Sequence, residues 1–515
     1  MSEPGTVHTL QPSTDSASAP PSGDAVTLAA FGYRQQLHRR LGRYASFAAG
    51  FSFISVLTTV FQFFAFGFSF AGAAFFWTWP LVLIGQLAVA ACFAELAARY
   101  PISGAVYQWS TRLSTPRFGW FAGWLMVIGQ IVVVSAAALA LQVVLPSIWS
   151  GFQIVGGPSS PTTHSGAENA VLLGLVLLVA TTLVNVVDIR VMSLVNSVGV
   201  TCELVGIAVM AVLLLTHTDR GPGVVLHTGH AGGGYLGLFL IASFSAAYVL
   251  VGFDSAGEMS EETRSPSRTA PRTILGAVVA AGVGGGLVIL GGILAAPSLT
   301  DGNLAGGGLS YVLTSRFGGS LGRVLLADVA VAVCVATLAI QTAGARMVFS
   351  MARDGQLPGS RRLAAVSDRT GTPNAPAVVV GVLAAAAMSL SLFSPSAYLA
   401  LGTTCIVLVY LAYAMVTGPM LLGRLRGRPA GGRDGLDETG KPLFSLGRWG
   451  LPINALAVVY GVAMAVNLAW PRAAVYDPSG GHWYLQWFTV LFLLGAAVLG
   501  VAAYRYRTRP DSRAA

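Results

Sequence analysis

YVLVGFDSAGEMSEETRSPSRTAPR, residues Tyr248 to Arg272, is the stretch from which the rest of the chain is read. It begins as the end of a long apolar segment and turns, from Glu258 on, into a dense acidic and basic loop. Within VGFDSAG, Gly252 and Gly257 weaken a helix and Asp254 sets a carboxylate beside the weak point. A softened, charged helix is a poor membrane anchor. It does offer open backbone carbonyls and amides to a small polar ligand, which lipid does not tolerate and a protein-lined cavity does.

Composition places such a helix in a bilayer. Of 515 residues, 54% are hydrophobic and only 10% charged, with a mean hydropathy of +0.69; a soluble protein carries roughly 25% charged residues. The 62 glycines fit close helix packing in membranes. Cys92, Cys202, Cys334 and Cys405 lie far apart in apolar segments and read as packing residues. Residues 1 to 30 hold no Lys, Arg or apolar core of a signal peptide and read as a disordered tail.

About 20 apolar residues span a bilayer, which gives about twelve spans: 46–68, 78–98, 118–145, 168–187, 192–216, 235–257, 271–296, 321–350, 374–393, 397–422, 450–470 and 483–504. With both termini cytoplasmic, 26 of the 30 Lys and Arg fall on the inside, leaving Arg220, Arg316, Arg323 and Arg472 outside. That bias fixes an even number of spans with both ends inside. The net charge of +9 is therefore a topology signal, and no nucleic-acid partner is expected.

Polar residues inside spans are the candidate site. Ser55, Thr58 and Thr59 sit mid-way in the first span; each hydroxyl either bonds back to its own helix or marks a break facing the one at Gly252. Gln130 in the third span either bridges helices or touches a ligand. Glu203 lies eleven residues after Met192, about 16 Å deep at ~1.5 Å per residue. A carboxylate there is protonated, paired or facing water, and can serve as a coupling group or as a neutral acid bonded between helices. Glu95 reads as an interface residue. Span eight carries Asp328, Thr337, Gln341 and Thr342.

HExxH and paired Cys-x-x-Cys are absent, so metal chemistry lacks its basic parts, and neither a cofactor nor an enzyme activity is expected. The glycine run GVGGGL from Gly282 has no strand before it and reads as helix packing. GLDETGKP, Gly435 to Pro442, mimics a P-loop but ends in Pro in place of the Ser or Thr that ligates Mg²⁺.

Four stretches together resemble the amino acid-polyamine-organocation superfamily of secondary transporters, and within it the amino acid/choline transporter family. They are AELAARYPISGAVYQW (94 to 109), GFDSAGEMSEETRSPSRTAPR (252 to 272), ARMVFSMARDGQLP (345 to 358) and PLFSLGRWG (442 to 450), and the likeness runs from about residue 45 to 505. The resemblance implies an all-α membrane protein of about 12 transmembrane helices. Spans one to five and six to ten would form a five-plus-five inverted repeat with discontinuous helices 1 and 6, followed by two C-terminal helices. It implies substrate contacts at Ser55, Val56, Leu57, Thr58 and Thr59, and at Tyr248, Val249, Leu250, Val251, Gly252 and Phe253, with Tyr248 as an aromatic lid. Where the family's first span carries a glycine, this chain has LTTV, and the nearest later glycine is Gly67, which leaves less room beside the backbone.

The expected organisation is a disordered cytoplasmic tail over 1–42, a transport core over 43–422, a basic cytoplasmic loop over 423–449, spans eleven and twelve over 450–505 and a C-terminal tail over 506–515. The expected function is an inner-membrane permease for an amino acid or a related zwitterion or amine, such as 4-aminobutyrate, working by alternating access. Glu203 and Asp254 favour a proton as the coupling ion, while Thr337 leaves sodium open. A choline or polyamine carrier, an amino acid exchanger and a non-transporting amino acid sensor are the other readings, and the oligomeric state is not legible.

Overall fold

The computed structural model describes residues 23–228, 234–367, 369–393, 397–428, 435–436, 440–477 and 480–507. Most of the expected N-terminal tail, the middle of the basic loop with the centre of GLDETGKP, and nearly all of the C-terminal tail lie outside them.

The long helices are α1 (Arg43–Ile54), α2 (Val56–Ala71), α3 (Thr78–Arg99), α4 (Pro116–Leu139), α5 (His164–Val187), α6 (Ile189–Thr216) and α7 (Tyr235–Val249). They continue as α8 (Pro266–Ala295), α9 (Gly302–Arg353), α10 (Asn374–Met388), α11 (Ala397–Leu425), α12 (Gly450–Ala469) and α13 (Phe488–Arg507). The described residues hold no strand beyond two isolated bridges, Leu41–Thr263 and Leu436–Pro442. Among the described residues ten stretches are long and apolar enough to cross a membrane, of which Arg43–Arg99 holds α1, α2 and α3, and α7 is a shorter apolar helix beside them, consistent with the expected twelve-span fold.

Local chemistry sets several helix starts. The Thr115 and Thr163 hydroxyls accept from Phe118 and Gly166 amides, the Asp188 carboxylate accepts from Arg190, and Pro116 opens α4 where a missing N–H costs nothing. Outward faces are apolar at helical spacing: Leu172, Val176, Val179 and Leu183 of α5 are all exposed. Inward faces close up through glycine. A Cβ on Gly282 would fall 2.4 Å from Leu83, and one on Gly285 2.4 Å from Trp79, whose indole N–H donates to the Gly282 carbonyl at 2.8 Å. The run at Gly282 is thus a packing seam between α8 and α3.

Four elements are placed more closely than apolar length alone could place them. The sixth span is broken as expected: its helix ends at Val249, the Leu250 amide closes the last turn on Ala246, and Val251 to Phe253 lead to a short helix Ser255–Glu258. The first span is broken by the single residue Ser55, at φ 37° and ψ 85°. The eighth is preceded by helical turns from Gly302 that break at Gly308 and Gly318, so its unbroken helix starts after Gly318, close to the expected 321. The tail is packed from Gly23 on: Leu28, Leu37 and Leu41 are buried, and Leu41 exchanges backbone bonds with Glu262 and Arg264 at 2.8 and 3.0 Å. Apolar residues spaced along an otherwise polar segment give it a surface to bury.

The two broken helices lie at the centre. α2 packs on α7 and α9, while α1 packs on α6, α8 and α9.

Candidate substrate and coupling site

Both breaks need backbone that ordinary residues avoid. At Gly252 φ is +95°, and a Cβ there would sit 1.7 Å from Phe53 Cδ1, so only glycine fits. At Ser55 a non-glycine residue takes the left-handed conformation, a cost of about 1–2 kcal/mol. Side chains offset it. Glu203 Oε1 accepts from Ser55 Oγ and from the Leu57 amide, each at 3.0 Å, and the Thr58 hydroxyl lies 2.7 Å from Ser55 Oγ. The acceptor stands at the start of α2, where unpaired N–H groups and the helix dipole favour a carboxylate oxygen.

Between the breaks lies an enclosed hollow lined by Ser55, Thr58, Thr59, Gln62, Tyr248 and Val251, with apolar walls from Phe53, Ile54, Val133, Ala137, Ala336, Ile340 and Ile406. All but Gln62 are buried. Side chains crowd it to about 10 Å³ of open space, room for roughly one water. Its lining has four hydroxyls, one carboxamide and no charge. The Tyr248 ring rests on Phe63, centroids 4.2 Å apart.

Five of the residues expected at the site line this hollow: Ser55, Thr58, Thr59, Tyr248 and Val251. Val249 lines a smaller neighbouring hollow with Thr59. Val56, Leu57, Leu250 and Phe253 are buried in the core; Phe253 packs on Phe93 and Tyr413. The Leu57 amide is taken by Glu203. Gln130 lies outside the hollow and donates to Glu258 Oε1 at 2.7 Å. Asp254 accepts from the Tyr413 hydroxyl, which in turn accepts from the Gly252 amide at 2.9 Å. Thr337 donates to the Val333 carbonyl of its own helix at 2.8 Å. Sequence reasoning missed Tyr413 and Glu258, and it missed the apolar walls, which carry no signal inside apolar spans.

Below the α7 break the loop is locked. Glu261 meets Arg353 in a two-bond fork at 2.8 and 2.9 Å, and Glu262 meets Arg346 at 2.9 and 3.3 Å, all four side chains buried or nearly so. Glu95, expected at the interface, is buried and paired with Arg99 at 2.9 Å and with Arg424. Tyr33 of the N-terminal segment donates to Asp354 Oδ2 at 3.1 Å, and the Arg353 guanidinium stacks over its ring at 4.1 Å. Burial, and then the Asp354 carboxylate, push the Tyr33 phenol above its ordinary value.

The sequence profile described as amino acid permease matches residues 42–495. The chain is 29% identical to the amino-acid permease BAT1 of Arabidopsis thaliana over 476 residues, 87% of this chain and 88% of the relative. It is 27% identical to the branched-chain amino acid permease BcaP of Lactococcus lactis over 438 residues, 83% of this chain and 88% of the relative. Over 544 residues it is 24% identical to the thiamine transporter thi9 of Schizosaccharomyces pombe, covering 95% and 88% of the two chains.

Proposed function

We propose, taking as premise that the chain belongs to the amino acid permease family, that this amino acid transporter is a proton-coupled secondary carrier of a small zwitterion with an uncharged side chain. The cargo class takes in neutral amino acids and relatives such as 4-aminobutyrate. The chain works in the inner membrane with both termini cytoplasmic, by alternating access of a five-plus-five repeat around the two breaks.

The observation that carries the reading is the bond from Glu203 to the Leu57 amide and to Ser55. It ties one titratable group to the backbone of the broken helix that lines the hollow. When Glu203 is protonated, one oxygen becomes a donor and the negative charge leaves the start of α2, so the grip on the break changes. Cargo bound beside Ser55 and Thr58 then favours one protonation state over the other, and by reciprocity a proton gradient moves cargo. The hollow's neutral lining supports cargo without side-chain charge, and its apolar walls support a short aliphatic one.

The test is accumulation of labelled amino acid by purified protein in liposomes under an inward proton gradient. Binding without gradient-dependent accumulation would make the protein a sensor; exchange that ignores the gradient would make it an antiporter. A second reading, an organic cation carrier for choline or a polyamine, is favoured by the Tyr248 ring in the hollow and by the relative named as a thiamine transporter. A competition panel of amino acids, choline and polyamines decides between them.

A further inference from the structure

Away from the hollow, on the face where the N-terminal segment packs, lies a recess of about 490 Å³ lined by Arg43, Arg264, Arg268 and Arg272. Its remaining lining is Gly42, Phe47, Ser265, Thr269 and Thr273, with no acidic side chain. Arg43, Arg264 and Arg272 are exposed, and among the described residues their guanidiniums have neither an ion pair nor a hydrogen-bond partner. The nearby carboxylate, Asp24, is already committed to the Ser265 amide at 3.0 Å and to Arg39 at 3.5 Å. The three like charges of Arg43, Arg264 and Arg272 around one recess repel one another unless an anion joins them.

Two further features aim the recess at a phosphate. α1 and α8 both begin there, at Gly42 and Ser265; the start of α1 has no side-chain cap, while the Ser265 amide donates to Asp24. The open amides and dipole of α1 add to the field of the arginines. Along α8, Val279, Val283 and Leu287 follow Arg272 on one face, and all three are exposed. A phosphate held by the arginines would sit at the head of an apolar track long enough for an acyl chain.

We propose that this recess binds a phosphate group, and the geometry points to the phosphodiester of an anionic phospholipid, its headgroup among Arg43, Arg264, Arg268 and Arg272 and one chain along Val279, Val283 and Leu287. The site ties the starts of the broken first helix and of α8 to one lipid, so occupancy braces the elements that must move during transport. It is independent of which cargo the hollow takes.

The experiment is native mass spectrometry of the purified full chain with phosphatidylglycerol, phosphatidylcholine or inorganic phosphate. Phosphatidylglycerol should be retained well above phosphatidylcholine, and replacing Arg264, Arg268 and Arg272 together by Gln should reduce that preference by roughly 100-fold. The single Arg272→Glu variant, which leaves the charge bias of the loops nearly intact, should reduce it by roughly 10-fold or more. Equal retention of the two lipids, or an unchanged preference in both variants, overturns the proposal. Retention of inorganic phosphate as strong as that of phosphatidylglycerol would overturn the lipid assignment and assign the recess to a soluble phosphate.

Discussion

Glu203 on α6 accepts a 3.0 Å hydrogen bond from the backbone amide of Leu57, the second residue of α2. The side chain thereby does from a neighbouring helix what a capping residue does locally. It is needed because Ser55, at the N-cap position, makes no capping bond and stands in the left-handed region. The consequence is a break in the first span that no glycine creates and that a titratable group holds.

Replacing Glu203 by Gln keeps an acceptor for Leu57 and removes the proton site. Glu203→Gln is expected to exchange labelled for unlabelled cargo across liposomes at near wild-type rate, while accumulation under a proton gradient drops by roughly 10-fold or more, the loss of about 1.4 kcal/mol of coupling. Accumulation equal to wild type at every pH would remove Glu203 from the coupling path.

Ser55→Val tests the strain. A β-branched residue resists the left-handed conformation more than serine does, and it also loses the hydroxyl that donates to Glu203. The variant is expected to lose about 2 kcal/mol of stability, together with transport. Ser55→Gly relieves the strain and gives up the hydroxyl, so its melting temperature in detergent should stay near wild type. If Val and Gly melt alike, the backbone at this position is not under constraint.

The membrane class, the twelve crossings and the position of both breaks were legible because each has a local signature: apolar length, the placement of arginine, and glycine or hydroxyl residues in mid-span. Gly252 announced its break by composition. The break at Ser55 was only half legible, since what completes it is Glu203, 148 positions away. The same limit hid the Glu261–Arg353 and Glu262–Arg346 pairs: the charges were visible in SEETR and GARMVFSMAR, and their pairing was not. Gln130 looked like a site residue because it is polar and mid-membrane. Its partner Glu258 lies across the α7 break, and a bond between two such distant residues leaves no pattern in sequence.

That pair makes its own prediction. Gln130 and Glu258 are both fully buried, their one bond leaves Gln130 Oε1 and Glu258 Oε2 without partners, and no ion pair among the described residues includes Glu258. A carboxylic acid bonds an amide in both directions, and a second amide does so nearly as well. Glu258→Gln should therefore melt within about 0.5 kcal/mol of wild type, whereas Glu258→Ala, which strands the buried amide, should cost about 2 kcal/mol. Equal losses in the two variants would show that the charge itself is what the site requires.

The N-terminal segment offers a pH test. Because the Tyr33 phenol is raised above 10.0 by burial and by Asp354, the folded state holds its proton longer than the unfolded chain does. Its contribution is complete below the unfolded value and is lost as pH rises through the higher folded one. The melting advantage of wild type over Tyr33→Phe should be flat through neutral pH and fade only above pH 10, followed by thermal unfolding in detergent. An advantage that fades below pH 9 would place the titrating group elsewhere.

Gly252→Ala separates space from backbone freedom. The added methyl would meet Phe53 Cδ1 at 1.7 Å and would also force alanine to φ +95°. Together these should cost about 3 kcal/mol and abolish uptake. Phe53→Ala in the same chain removes the clash and leaves the φ requirement untouched. The double variant should therefore recover part of the stability, and uptake should remain well below that of Phe53→Ala alone. If the double variant transports like Phe53→Ala, the break at Gly252 needs room rather than a left-handed residue, and a bulky neighbour would be the sole reason for glycine there.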